Sequence, residues 1–128
     1  MGLDMYAYSV AQKDALGDFE VTPYDDESRD VQEIAYWRKF NALHGWMEDL
    51  YHSKGGNETF NCVKLRLTEA DLIALNKTIA DGMLKPTEGF FFGAQEVYPE
   101  DVQEALKFIG DAMAEIANGR VVYYDSWW

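Results

Sequence analysis

Hydrophobic and polar positions follow two different periods along the chain. Rough alternation over Leu3–Ser9 predicts a first β-strand. A spacing of three and four residues then predicts a helix over Val31–His52, with Asp30 as its N-cap. The residues that define its core-facing stripe are Tyr36, Phe40, Leu43, Met47 and Leu50. That stripe is the clearest helical signal in the sequence.

The second half of the chain repeats strand and helix signals. We expect strands at Phe60–Leu67, Phe90–Phe92 and Arg120–Trp128. A helix should cover Glu69–Gly82, because Thr68 and Asp71 have the spacing of a capping box. Another should cover Pro99–Ala117, since proline suits the first turn and Asn118-Gly119 can end a helix.

These elements predict an α+β fold. Three amphipathic helices would pack against a sheet of three to five strands. A chain of 128 residues, nearly half of them apolar, favours one globular domain over residues 1–128.

The segment 12–30 is strongly acidic. It contains the breakers Gly17 and Pro23, so we expect an exposed loop with room for one short strand at Phe19–Thr22. Its carboxylates are Asp14, Asp18, Glu20, Asp25, Asp26, Glu27 and Asp30. Such a local field would steer a basic partner, whereas the alternative is a solubilising loop without a partner. The net charge of −12 argues against direct binding to a nucleic-acid backbone.

A second stripe lies about a quarter turn from the core stripe of the predicted first helix, at about 3.6 residues per turn. It holds Trp37, Asn41 and His44, with Arg38 beside it. A ring that stacks, an amide that bonds and an imidazole that exchanges protons could bind a nucleotide. The alternative is a solvated helix flank with a half-buried Trp.

No sequence motif indicates catalysis. Glycines with the spacing of a phosphate loop are absent, and no serine lies in a nucleophile-elbow context. His44, Glu48 and His52 have helical spacing but match no metal motif, so we predict no metal and no cofactor. The single cysteine, Cys62, rules out an intramolecular disulfide and should lie in the core of a cytoplasmic protein. No apolar run is long enough to span a membrane.

Large rings crowd the end of the sequence. Tyr123, Tyr124, Trp127 and Trp128 fall within six residues, and burial of such rings should dock this strand on the fold. Alternation places rings on both of its faces. We expect one face to cover the helices and the other to pair with a second copy, in preference to being capped by the acidic segment.

Several stretches resemble a small family of phage and prophage proteins. They are residues 1–6 (MGLDMY), 33–39 (EIAYWRK), 44–47 (HGWM), 60–63 (FNCV), 89–93 (GFFFG) and 121–128 (VVYYDSWW). Members sometimes carry the label phosphoglycerate kinase, but that enzyme has two domains, and this chain has neither its size nor a phosphate loop. The resemblance implies a phage protein in the host cytoplasm and supplies no activity for any residue.

Two functions follow as hypotheses. The first is an accessory protein that occupies a basic surface of a host protein, such as a nucleic-acid-binding defence factor, through the acidic segment. The second is a protein that binds or sequesters a nucleotide through Trp37, Arg38, Asn41 and His44.

Overall fold

The computed structural model describes residues 2–84 and 98–128. They form an α+β fold with a four-stranded antiparallel sheet, a two-stranded hairpin and three helices. The strands are β1 (Asp4–Val10), β2 (Ala15–Gly17), β3 (Glu20–Val21), β4 (Val31–Arg38), β5 (Leu65–Leu67) and β6 (Val121–Trp127). The helices are α1 (Asn41–Ser53), α2 (Glu69–Ala80) and α3 (Pro99–Ala117). The large sheet has the order β4-β1-β6-β5, and β2 pairs with β3.

The two faces of the large sheet have different neighbours. Side chains alternate across a strand, so Met5 and Ala7 of β1 join Val122 and Tyr124 of β6 in the core under the helices. On the opposite face, Tyr8, Val10, Val121 and Tyr123 form a separate buried cluster with Val21 of the hairpin. The same alternation places Tyr6 and Asp125, which are paired in register, on this second face.

Two of the predicted helices are confirmed. In α2, the Thr68 hydroxyl accepts from the Asp71 amide at 3.2 Å, and the Asp71 carboxylate accepts from the Thr68 amide at 2.8 Å. This is the predicted capping box, which satisfies two amides at the helix start. The third helix has the predicted bounds, with Pro99 in its first turn and Gly119 at φ +83° after its end.

The predicted helix over Val31–His52 is wrong in its first half. Residues 31–38 form β4, which pairs with β1 along its length, and the chain turns at Lys39 (φ +60°) before α1 begins. Asp30 therefore caps no helix. Leu43 and Met47 do lie in the core, whereas Tyr36 is half exposed on the sheet. The stretch 31–38 is rich in β-branched and aromatic residues, and pairing with β1 overrides its helical spacing.

Three other expectations need correction or limits. Only Leu65–Leu67 of the predicted strand Phe60–Leu67 pairs with the sheet. Cys62 is exposed rather than buried. Its backbone has a φ of +58°, and its amide donates to the Ser126 carbonyl at 2.7 Å. The predicted strand Phe90–Phe92 lies outside the described residues. In the described ranges, no helix combines the length and apolar character needed to cross a bilayer.

Candidate functional site

The predicted helical binding stripe does not exist as an exposed surface. Trp37 lies on β4, where its ring packs edge-on against Phe108 at 5.1 Å. Asn41 and His44 are buried in α1, and Arg38 is exposed at the end of β4. Trp37 on β4 lies in the hydrophobic core and Asn41 and His44 are buried on α1, so these side chains form no exposed stripe. Three of the four are part of the core under the helices.

His44 is buried among aromatic side chains of the core. Its Nδ1 lies 2.6 Å from the Tyr124 hydroxyl, and its ring packs 5.0 Å from that of Phe60. Burial lowers the pKa of His44 to about 4. The imidazole is therefore neutral near pH 7 and is not poised to exchange protons there.

The acidic segment is folded, and Asp14 is its internal anchor. Asp14 is 2% exposed, and its carboxylate accepts from the Asp30 amide at 2.9 Å and from Lys13 Nζ at 3.1 Å. The Asp30 amide bond is the main cause that holds the pKa of Asp14 below its ordinary value, with Lys13 contributing. The sequence predicts Asp14 as part of an exposed acidic loop, but Asp14 is buried and does not belong to the exposed acidic surface. The other six predicted carboxylates are exposed: Asp18, Glu20, Asp25, Asp26, Glu27 and Asp30.

The β2–β3 hairpin is fixed to the large sheet. The Tyr123 hydroxyl donates to the Gly17 carbonyl at 2.5 Å and lies 3.2 Å from the Glu20 carbonyl. The Arg66 amide donates to the Asp18 carbonyl at 2.8 Å. Val21 is buried against the sheet. The acidic segment thus caps part of the second face of β6. This is the alternative to a homodimer through that face. The homodimer stays a prediction.

Two apolar side chains project from this acidic segment. Tyr24 is 88% exposed and Leu16 is 52% exposed. Both belong to the segment that carries the six exposed carboxylates. Exposed tyrosine side chains are enriched at surfaces that bind another protein. We call the six carboxylates with Tyr24 and Leu16 the acidic face.

A pocket of about 200 Å³ opens on the second face of the sheet. Tyr6, Tyr8, Val31, Glu33 and Asp125 line it, and we call it the sheet-face pocket. Neighbouring strands supply it in register, because Tyr6 pairs with Asp125 and Tyr8 pairs with Glu33. Alternation along β1 and β6 predicts which of their side chains share a face. The sequence does not show which strands are neighbours, so it does not predict the pocket.

Two carboxylates, Glu33 and Asp125, line the sheet-face pocket. Burial raises the pKa of the Asp125 carboxyl, and the Lys64 ammonium opposes that rise. The pKa of Tyr6 is raised by burial and then by Asp4, Glu33 and Asp125. Tyr8 is 8% exposed, and its hydroxyl has no hydrogen-bond partner among the described residues.

A larger cavity, of about 380 Å³, lies beside the turn after α1. Phe19, Tyr51, Glu58, Cys62 and Lys64 are among the side chains that line it. The Cys62 Sγ lies 3.7 Å from Asn61 Oδ1.

Within residues 2–84 and 98–128, no three His, Cys, Asp or Glu side chains are grouped so as to hold a metal ion.

The fold and site define a class in structural terms. This is an α+β protein whose helices cover one sheet face and whose acidic hairpin caps part of the other. No protein-family model, curated protein or solved structure matches the chain.

Proposed function

We propose that this protein is a non-catalytic accessory protein that binds a basic surface of a host protein through its acidic face. The observation that carries the proposal is the anchored segment 12–30, which holds six exposed carboxylates together with Tyr24 and Leu16. Charge gives the surface long-range attraction, and the apolar groups give it contact area.

Anchoring of the acidic segment favours binding. An unfolded acidic loop would lose conformational freedom when it met a partner, and that loss would reduce the affinity. Here Asp14 and Tyr123 already fix the segment by hydrogen bonds to its backbone. The acidic face is therefore largely ordered before it binds.

The resemblance of the sequence to phage and prophage proteins supports a host protein as the partner. A phage protein in a bacterial cell meets host proteins that bind nucleic acid, and those proteins carry basic surfaces. A rigid acidic face can cover such a surface by charge complementarity. A nucleic-acid-binding host factor is therefore the partner we propose.

Site-specific photocrosslinking would test the proposal. A benzophenone side chain would replace Tyr24, or Ile73 on α2 as a control that is 55% exposed, before incubation with bacterial lysate. The Tyr24 probe should capture one protein through a basic segment. Capture should be strong at about 0.1 M salt and weak at about 1 M, where charges are screened within a few ångströms.

A charge-neutralising variant provides the second readout. Glu20→Gln, Asp25→Asn and Glu27→Gln together remove exposed charge from the acidic face and should abolish capture. The matched control removes the same charge elsewhere, by Asp49→Asn, Glu58→Gln and Glu104→Gln, and should capture normally. Equal capture by both variants, or capture that persists in high salt, would contradict the proposal.

A further inference from the structure

The sheet-face pocket is an extension of the acidic face. Val31 at its rim directly follows Asp30, the last carboxylate of the acidic segment. At its other side, Tyr8 stacks on Tyr123 at 6.0 Å, and Tyr123 in turn holds the hairpin. A partner that covers the acidic face would therefore also cover the mouth of this pocket.

The lining has the chemistry of a site for an organic cation. Tyr6 and Tyr8 lie on the same face of β1, with Glu33 on β4 and Asp125 on β6 beside them. Aromatic faces and carboxylates both attract ammonium and guanidinium groups. The chain itself supplies a precedent, because the Arg29 guanidinium carbon lies 6.0 Å from the centre of the Tyr8 ring.

Two cations of the chain, Lys64 and Arg29, lie near the pocket. Lys64 Nζ lies 3.8 Å from Asp125 Oδ2, which is the long end of an ion pair, and the Lys64 side chain is 36% exposed. Burial still raises the pKa of Asp125 although Lys64 and Arg29 both oppose that rise. The buried Tyr8 hydroxyl is a further polar group without a partner in the described ranges.

We propose that the sheet-face pocket receives the guanidinium or ammonium group of one Arg or Lys side chain from the basic partner. The inference rests on the proposed function and deepens it by naming the anchoring group. A volume of about 200 Å³ equals that of roughly six or seven water molecules, which is room for a guanidinium and part of its stem.

Single-residue probes would test the pocket apart from the acidic face. The uniformly ¹⁵N-labelled chain would be titrated with N-acetylarginine amide and with N-acetylcitrulline amide, which has the same shape without the charge. The arginine probe should shift the amide signals of Tyr6, Glu33 and Asp125. The citrulline probe should leave them unmoved, because it cannot form an ion pair with the carboxylates.

Glu33→Gln keeps the shape of the side chain and removes its charge at an exposed position. It should weaken binding of the arginine probe by roughly fivefold, the upper range for an ion pair open to solvent. Asp49→Asn, a matched charge loss on α1, should leave binding unchanged. Unperturbed spectra elsewhere would show that both variants are folded.

A hexa-arginine peptide separates this inference from the proposed function. Neutralising Glu20, Asp25 and Glu27 should weaken the peptide and leave the single-residue arginine probe unaffected. If the peptide weakens there but Glu33→Gln changes neither ligand, the pocket inference fails while the acidic face stands. If only Glu33→Gln matters, the acidic face fails.

Two further outcomes would overturn the inference. Citrulline that shifts the same amides as arginine would show that charge is not recognised. Agmatine, a free guanidinium compound, that binds as tightly as the hexa-arginine peptide would show that the pocket serves a free small cation. Tighter binding of the peptide, with shifts in both the pocket and the hairpin, supports a side chain of a partner.

Discussion

The two faces of the large sheet differ in what they bury. On the helix-covered face, Tyr124 and Phe108 are almost completely inaccessible, and the polar Tyr124 hydroxyl is paired with His44. On the second face, Tyr123 is buried under the hairpin while Tyr36 and Trp127 remain at least half exposed. One strand, β6, contributes to both environments.

This difference separates stability from binding. Apolar burial under the helices supplies most of the driving force for folding, because free energy scales with the apolar area removed from water. The second face carries the acidic hairpin and the carboxylates Glu33 and Asp125, which add little to a core but attract cations. Substitutions on the two faces should therefore have different consequences.

The largest difference is expected for ring truncation. Phe108→Ala removes a ring that is 1% exposed and should destabilise the protein by about 3–5 kcal/mol, since it leaves a cavity next to Trp37. Tyr36→Ala removes a ring that is half exposed and should cost about 1 kcal/mol or less. Urea unfolding of the two variants measures both values, and equal losses would erase the distinction between the faces.

The second prediction concerns acid. Burial holds the pKa of His44 at about 4, whereas it is about 6.5 in an unfolded chain. The unfolded chain therefore binds a proton over this interval that the folded protein excludes. Stability should fall by about 3 kcal/mol as the pH drops from about 6.5 to about 4.

A variant isolates the contribution of His44. His44→Gln lowers stability at every pH but should flatten this slope, and unfolding measured across the interval gives it. Asp125 on the second face acts in the opposite direction, because its raised pKa makes the folded protein lose stability as the pH rises above the ordinary pKa of an aspartate. An unchanged slope in His44→Gln would show that His44 is not the titrating group.

These predictions depend on contacts that the sequence only partly reveals. The fold class, the α2 capping box, α3 and the final strand follow from local patterns, and the structure confirms them. The strand β4 does not follow, because residues 31–38 satisfy a helical period as well as a strand composition. Pairing with β1 decides between them, and that contact is not local.

The candidate site depends even more on pairing. The acidic segment is visible in the sequence, but the burial of Asp14 comes from its bond to the Asp30 amide, 16 residues away. The sheet-face pocket joins β1, β4 and β6, so no single stretch contains it. Alternation along β6 puts Asp125 and Tyr123 on one face, but it does not show which residues of other strands lie beside them.

The third prediction compares the two final tryptophans. The Trp128 indole donates to the Phe60 carbonyl at 2.8 Å, while Trp127 is 64% exposed. Trp128→Ala should destabilise the protein by about 2 kcal/mol, because a partly buried ring and its bond are lost. Trp127→Ala should cost less than about 1 kcal/mol.

Sedimentation of the same variants tests the predicted homodimer. If Trp127 lies between two copies, Trp127→Ala should halve the sedimenting mass while the thermal midpoint of the monomer barely changes. A mass that stays the same in wild type and variant would remove Trp127 from any interface between copies. Trp128→Ala serves as the control for general destabilisation.

The smallest effect, and one whose sign is informative, is expected for Tyr8→Phe, which is best compared with a second hydroxyl deletion, Tyr124→Phe. Tyr124→Phe removes the 2.6 Å bond to His44 in the core and should cost about 1–3 kcal/mol. Tyr8→Phe removes a buried hydroxyl that has no partner in the described part of the chain, so folding no longer has to strip water from it. Stability should therefore stay unchanged or rise by up to about 1 kcal/mol. Urea unfolding at neutral pH compares the two variants. A clear loss of stability in Tyr8→Phe would contradict this prediction, because it would show that the Tyr8 hydroxyl makes a stabilising hydrogen bond in solution.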